Sequence, residues 1–151
     1  MQVQIPTTSR AAASKLVLVL RLCFVCSAFM FLYMVIKVLP AAASPVDPMM
    51  ETLLTIIALA SVVVGLVLPR ILPGLAKNVP DHVPQAQRLQ SWFTRNVLGF
   101  AFIEACSLFG VALHALGASL HRSESLIGIG IVATVFVSAG EQPEDVAESG
   151  A

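Results

Sequence analysis

An all-α membrane fold is what this sequence predicts: a polytopic four-helix bundle with a short interfacial amphipathic helix before the third span. Hydrophobic residues make up 57% of the 151-residue chain and charged residues only 12%, whereas an ordinary soluble domain carries roughly 25% charged residues. The apolar residues gather into four runs, each approaching the about 20 residues that a helix needs to cross hydrocarbon. Lipid leaves a single-run segment no structure but a helix, because an unpaired strand would present unsatisfied backbone groups. Formal net charge is zero, nine Lys plus Arg against nine Asp plus Glu. That balance excludes the basic excess by which nucleic-acid binders announce themselves, and the expected partners are the lipid bilayer, a second copy in a homo-oligomer, or other membrane proteins.

Residues 1–14 are polar and rich in small side chains, an expected cytoplasmic N-terminal segment. The first span covers residues 15–39, with Arg21 and Lys37 near its two ends. A basic start, an apolar stretch and Ala41-Ala42-Ala43 also resemble a signal peptide and its cleavage site. Lys37 interrupts the approach to that site, so a retained helix is favoured. Pro40, Pro45 and Pro48 break the chain into a short hairpin, and the second span follows at residues 52–69. Its Ser61-x-x-x-Gly65 pair permits close backbone approach in lipid, and Pro69, Pro73 and Gly74 are expected to end it.

Residues 70–96 form the basic loop, holding Arg70, Lys77, Arg88 and Arg95. Within it Val83, Ala86, Leu89, Phe93 and Val97 recur at helical spacing, opposite Gln85, Arg88 and Thr94. This pattern predicts an interfacial helix over residues 83–95, anchored at the membrane surface by Trp92 and Phe93. The third span, residues 97–116, contains Glu104. Its ten Leu, Ile, Val and Phe residues supply roughly 3–6 kcal/mol of insertion energy, against about 2.5–3.5 kcal/mol for one central acidic residue. Insertion is therefore favoured, and Gly110 offers a further packing site. After a turn at Gly117 to Glu124, the fourth span covers residues 125–140, where Gly130, Thr134 and Ser138 make a small-residue stripe. An acidic tail, residues 141–151, is expected to be disordered.

Orientation follows from the basic residues beside the spans. Arg10, Lys15, Arg70, Lys77, Arg88 and Arg95 share one side, with Lys37 and Arg122 on the other. The positive-inside rule then places both termini and the central loop in the cytoplasm.

Few residues carry chemistry. Glu104 lies well inside an apolar span, where acidic residues face a bundle interior or an aqueous path. A carboxyl there either exchanges protons or is held by a nearby cation. Arg21 is the expected partner: both charges sit roughly 7–11 Å below the cytoplasmic interface at about 1.5 Å per residue. The favoured reading is a buried ion pair that fixes helix register, with Ser107 one turn on as an extra donor. The competing readings are an ion site at Glu104, or a snorkelling Arg21 with Glu104 bonded to hydroxyls. Cys23-x-x-Cys26 has the spacing of a metal or redox pair but no second pair and no nearby histidine, so two small helix residues are expected. His114 and His121 read as interfacial histidines, and Gly128-x-Gly130 as packing rather than a phosphate loop. The sequence predicts no metal, no cofactor and no catalytic residue.

Two resemblances follow from these residues. The run Phe102-Ile103-Glu104-Ala105-Cys106-Ser107-Leu108-Phe109-Gly110-Val111 resembles the ion-carrying helix of the rotary ATP synthase c subunit, in which a carboxylate binds the transported proton or sodium ion. That resemblance would give Glu104, and Glu104 alone, such a role. It covers about a dozen residues and lacks the glycine-repeat partner helix. The whole-chain pattern looks more like small bacterial four-span membrane proteins with a basic central loop and a third helix that opens on a basic residue. Here that is Arg95, followed by Ala101 to Gly110. This resemblance implies a bacterial inner membrane and brings no activity. The expected function is that of a non-enzymatic structural or accessory membrane component, with ion translocation through Glu104 as the alternative.

Overall fold

The computed structural model describes residues 10–40, 44–76, 85–137 and 139. The start of the expected N-terminal segment, Ala41 to Ala43, loop residues 77–84 and the acidic tail lie outside the described residues. Four helices make up the fold: α1 (Arg10–Lys37), α2 (Pro48–Ala76), α3 (Gln85–Ala115) and α4 (Leu120–Phe136). Three contain stretches long and apolar enough to cross a membrane, Ala11–Lys37, Pro48–Arg70 and Gln87–Ala115. The fourth helix has 17 residues, about 26 Å at 1.5 Å per residue.

The bundle is built around α3, which packs against the other three helices, while α1 and α2 do not meet among the described residues. Helix direction alternates. Arg21 near the start of α1 reaches Val137 at the end of α4, and His114 near the end of α3 reaches Leu39 at the end of α1. Where α3 meets α4, Gly110 faces Ser123 to Ile127 and Ser107 faces Gly130, the inverse register of an antiparallel pair.

Local chemistry sets the ends. Asp47 precedes α2 as its cap, with Oδ1 accepting from the backbone N–H of Met49 at 2.7 Å and of Met50 at 3.3 Å. Pro48 then occupies the first helical position, where its missing N–H costs nothing. Substitution Asp47→Ala is expected to lower stability by about 1 kcal/mol, read from denaturation of the purified protein. The end of α3 is a Schellman motif: Gly117 has φ 94°, its N–H donates to His114 O at 3.0 Å, and Ala118 N–H donates to Leu113 O at 2.9 Å. Only a residue without Cβ adopts that left-handed conformation cheaply. Ser119 then caps α4, its hydroxyl accepting from Arg122 N–H at 3.4 Å, so the helix starts five residues before the position the sequence suggested.

Two expectations are corrected. First, α2 does not stop at Pro69 but runs through Pro69 and Pro73 to Ala76. The N–H that Pro69 lacks would have bonded the Gly65 carbonyl. That carbonyl instead faces α3 at Gly99, where an added Cβ would lie 3.0 Å from Gly65 O and 3.0 Å from Pro69 Cγ. A freed carbonyl covered by a neighbouring helix is tolerated, where one left to lipid would not be. Second, residues 85–95 do not form a separate interfacial helix; they are the first turns of α3. The buried stripe Leu89, Trp92, Phe93, Asn96, Phe100, Ile103 keeps its helical spacing across the expected boundary, and no proline or glycine interrupts it before Gly99. Trp92 is 4% exposed and Phe93 8%, so both pack in the interior instead of anchoring at a surface. The same interior cluster takes in Ala13 and Val17 of α1 and Val137 beyond α4.

Candidate functional site

Glu104, Arg21 and Ser107 are the residues to locate first. Phe100 lies one helical turn before Glu104 on α3 and is 2% exposed. Its ring meets Phe24 of α1, with centroids 5.7 Å apart, and the Arg21 guanidinium carbon stands 5.7 Å from its centroid. The guanidinium also donates through Nη2 to the Val137 carbonyl, the residue that terminates α4. The last carbonyls of a helix lack intrahelical partners and carry the negative end of its dipole. Arg21 therefore satisfies a helix end and a ring face at once, a use of guanidinium geometry that lysine could not reproduce.

Among the described residues, Arg21 and Glu104 form no ion pair; the cross-helix pair present joins Arg122 to Glu51. Arg21 stands at the level of Phe100, and Glu104 lies four residues, or about 6 Å along the helix, beyond it. What the sequence could not supply is direction. Glu104 is partly exposed and has no hydrogen-bond or ion-pair partner among the described residues. Ser107 is fully buried and its Oγ lacks a hydrogen-bond partner. It does not turn to Glu104 but fills the space in front of Gly130, where a Cβ would collide with Oγ.

The predicted packing residues divide between two contacts. Gly65 meets α3: a Cβ there would lie 2.6 Å from Gly99 O and 2.6 Å from Ile103 Cγ1. Gly110 meets α4, with a hypothetical Cβ 2.9 Å from Ser123 O and 2.9 Å from Ile127 Cγ1. Ser61 and Thr134 instead bond back within their own helices, Ser61 to Ala58 O at 2.7 Å and Thr134 to Gly130 O at 2.8 Å. Gly99 is the packing residue the sequence reading missed. Its spacing of eleven residues from Gly110, three helical turns, was the available signal that both lie on one face.

The other polar groups are dispersed. Cys23 and Cys26 are exposed on α1, while Cys106 is buried with Sγ 3.4 Å from Leu126 O. His121 is exposed, as an interfacial histidine should be, but His114 is buried at 5% exposure. Its Nε2 lies 3.0 Å from Leu39 O, tying the end of α1 to the end of α3, and Nδ1 has no partner. At the same end of the bundle Arg122 Nη1 stands 2.9 Å from Glu51 Oε1. Arg122 is 48% exposed there, so the pair contributes about 1 kcal/mol at most. Among the described residues, no three of His, Cys, Asp and Glu gather as metal ligands would. No family model, curated protein or solved structure matches this chain.

Proposed function

We propose that this chain is a four-span integral membrane protein of a bacterial inner membrane, with both termini cytoplasmic, acting as a non-enzymatic structural or accessory component. The observation that carries the reading is the distribution of polarity. Bulky apolar side chains such as Leu18, Leu22, Phe29, Leu53, Ile56 and Val63 are exposed along α1 and α2, an outside that suits hydrocarbon rather than water. Three of the five buried polar residues, Asn96, Ser123 and Thr134, donate to carbonyls of their own helices, which leaves those three occupied with holding structure. The fourth span is supported by the length of α4, within about 4 Å of the roughly 30 Å hydrocarbon thickness, and by its packing against α3 and α1. Small residues at the α2–α3 and α3–α4 contacts are those that helices use to associate in lipid.

The ion-translocating alternative is favoured by one observation, the partly exposed Glu104 with no partner among the described residues. Proteoliposomes loaded with a pH-sensitive dye separate the two readings. The accessory reading expects wild type and Glu104→Gln to give the same slow proton leak under an imposed potential. A fast flux in wild type that Glu104→Gln abolishes would replace it with the transport reading. Topology is checked separately: a reporter fused after Gly140 should be active only on the cytoplasmic side, and activity on the opposite side would reduce the count to three spans.

A further inference from the structure

The charges of this protein are sorted by end. Among the described residues, the carboxylates of Asp47, Glu51 and Glu124 lie at the end of the bundle where His114 meets Leu39, and Glu104 lies within α3. The opposite end holds Lys15, Arg21, Arg70, Arg88 and Arg95 and, among the described residues, no carboxylate. Across residues 70–96 the sequence sets Arg70, Lys77, Arg88 and Arg95 against a single acid, Asp81, so the excess there is positive whatever pairs form. Two of these arginines flank the α2–α3 crossing. Arg70 follows Pro69, which packs on Gly99, and Arg95 lies about one turn before Gly99. The two helices are antiparallel, so both arginines stand on the same side of the crossing, each at the edge of its helix's apolar run. Arg95 bends away from that run: its Nε donates to Ser91 O, one turn nearer the start of α3, at 3.2 Å. One edge of the guanidinium is thereby fixed, and its two terminal amino groups have no partner among the described residues. On the same face of α3, in the direction of the apolar run, Leu98 and Phe102 are exposed.

We propose that the cytoplasmic end of the α2–α3 seam binds an anionic phospholipid, its phosphodiester held by Arg95 and Arg70 and an acyl chain lying along Leu98 and Phe102. The proposal rests on the membrane-spanning reading above and names the lipid class that this protein selects. The arrangement answers both halves of the ligand. A guanidinium with one edge pinned to the backbone presents the other as the planar fork that matches two phosphate oxygens. A basic side chain that bends out of an apolar run ends at headgroup height. Apolar side chains continuing from it toward the hydrocarbon suit an acyl chain, and they suit neither a soluble anion nor an acidic peptide. The positive excess of residues 70–96 favours a lipid of net negative charge over a zwitterionic one, whose own ammonium would meet the arginines.

The test uses the full chain in neutral detergent micelles, titrated with phosphatidylglycerol or phosphatidylcholine, with bound lipid counted by native mass spectrometry. Wild type should bind the first phosphatidylglycerol about fivefold more tightly than phosphatidylcholine, the worth of one basic residue near a membrane surface. Arg95→Gln should remove most of that preference and leave thermal stability unchanged. Arg95→Lys, which keeps the charge and loses the fork, should retain part of it. Lys37→Gln, at the other end of α1, should leave it intact. Equal binding of the two lipids, a preference that survives Arg95→Gln, or one that Lys37→Gln lowers as much, overturns the proposal. Displacement of the lipid by millimolar inorganic phosphate overturns it too, by assigning the arginines to a soluble anion. So does a preference that emerges only when residues 141–151, with Glu141, Glu144, Asp145 and Glu148, are removed, because the face would then belong to that segment. Flotation with phosphatidylcholine vesicles keeps the two readings apart. A chain that floats but shows no lipid preference loses only this inference, and one that fails to float loses the membrane reading as well.

Discussion

Gly65→Ala is expected to be among the most damaging single-methyl substitutions in this chain, lowering stability by about 2–3 kcal/mol, the upper part of the usual range for overpacking. The added Cβ would stand 2.6 Å from the Gly99 carbonyl oxygen and 3.1 Å from the Ile103 nitrogen, both backbone atoms, as well as 2.6 Å from Ile103 Cγ1. Trimming Ile103 removes only the last of these, so a Gly65→Ala/Ile103→Ala double variant should recover nothing. The helices must instead move apart, which uncovers the Gly65 carbonyl that Pro69 leaves without a donor. Gly130→Ala makes the useful comparison, because its Cβ meets the Ser107 hydroxyl and lies 3.6 Å from Ser107 Cβ. There Ser107→Ala removes the obstacle, and the Gly130→Ala/Ser107→Ala protein should approach wild-type stability. Denaturant titration in detergent micelles reads all four variants. A mild Gly65→Ala, within about 0.5 kcal/mol of wild type as an ordinary surface change would be, would show that α2 and α3 do not cross at these glycines.

Arg21→Gln should cost about 1.5–3 kcal/mol, the range for a lost hydrogen bond to a charged group, with the loss concentrated at the end of α4. Glutamine is too short and carries no charge to hold the Val137 carbonyl and lie over Phe100 together. Glu104→Gln should cost much less, since its carboxylate has no partner among the described residues. The decisive quantity is the coupling between the two. Side chains that share no partner are additive within about 0.5 kcal/mol, and the Arg21→Gln/Glu104→Gln double variant should equal the sum of the singles at that tolerance. Coupling of about 2 kcal/mol or more would restore the ion pair that depth alone suggests, since breaking one side of a buried pair costs about 3–5 kcal/mol. Amide hydrogen exchange adds location: Arg21→Gln should accelerate exchange in the last turn of α4 and leave the middle of α3 protected.

Much of the site was legible as depth and little of it as direction. The insertion argument for residues 97–116 found a helix because ten large apolar residues outweigh one acid, and the three long apolar helices are there. Gly65, Gly110 and Gly130 could be picked out because small residues in apolar helices have few other uses. Gly99 was passed over because it falls near the edge of its apolar run, where a glycine reads as an ending. Trp92 and Phe93 were misplaced for a related reason: an aromatic pair beside basic residues looks interfacial until the buried stripe is followed unbroken into Phe100 and Ile103. His114 reads as a boundary residue by position, but α1 ends where its ring can reach Leu39 O.

What the sequence by itself determined was the four apolar helical runs and the order of residues along them, though not where each helix begins and ends, because apolar run length and a fixed rise per residue convert position into height. The caps at Asp47 and the turn at Gly117 belong to the same class, being settled by bonds between near neighbours in the chain. The tertiary structure decided everything that depends on rotation about the helix axes and on which helix lies beside which. Arg21 turned to the unsatisfied end of α4, Pro69 became tolerable once Gly99 covered the carbonyl it freed, and Glu104 was left on the outward edge of α3. Each of these is a long-range pairing of a polar group with whatever donor, acceptor or ring the packing brings within reach, and sequence spacing carries no information about that neighbour.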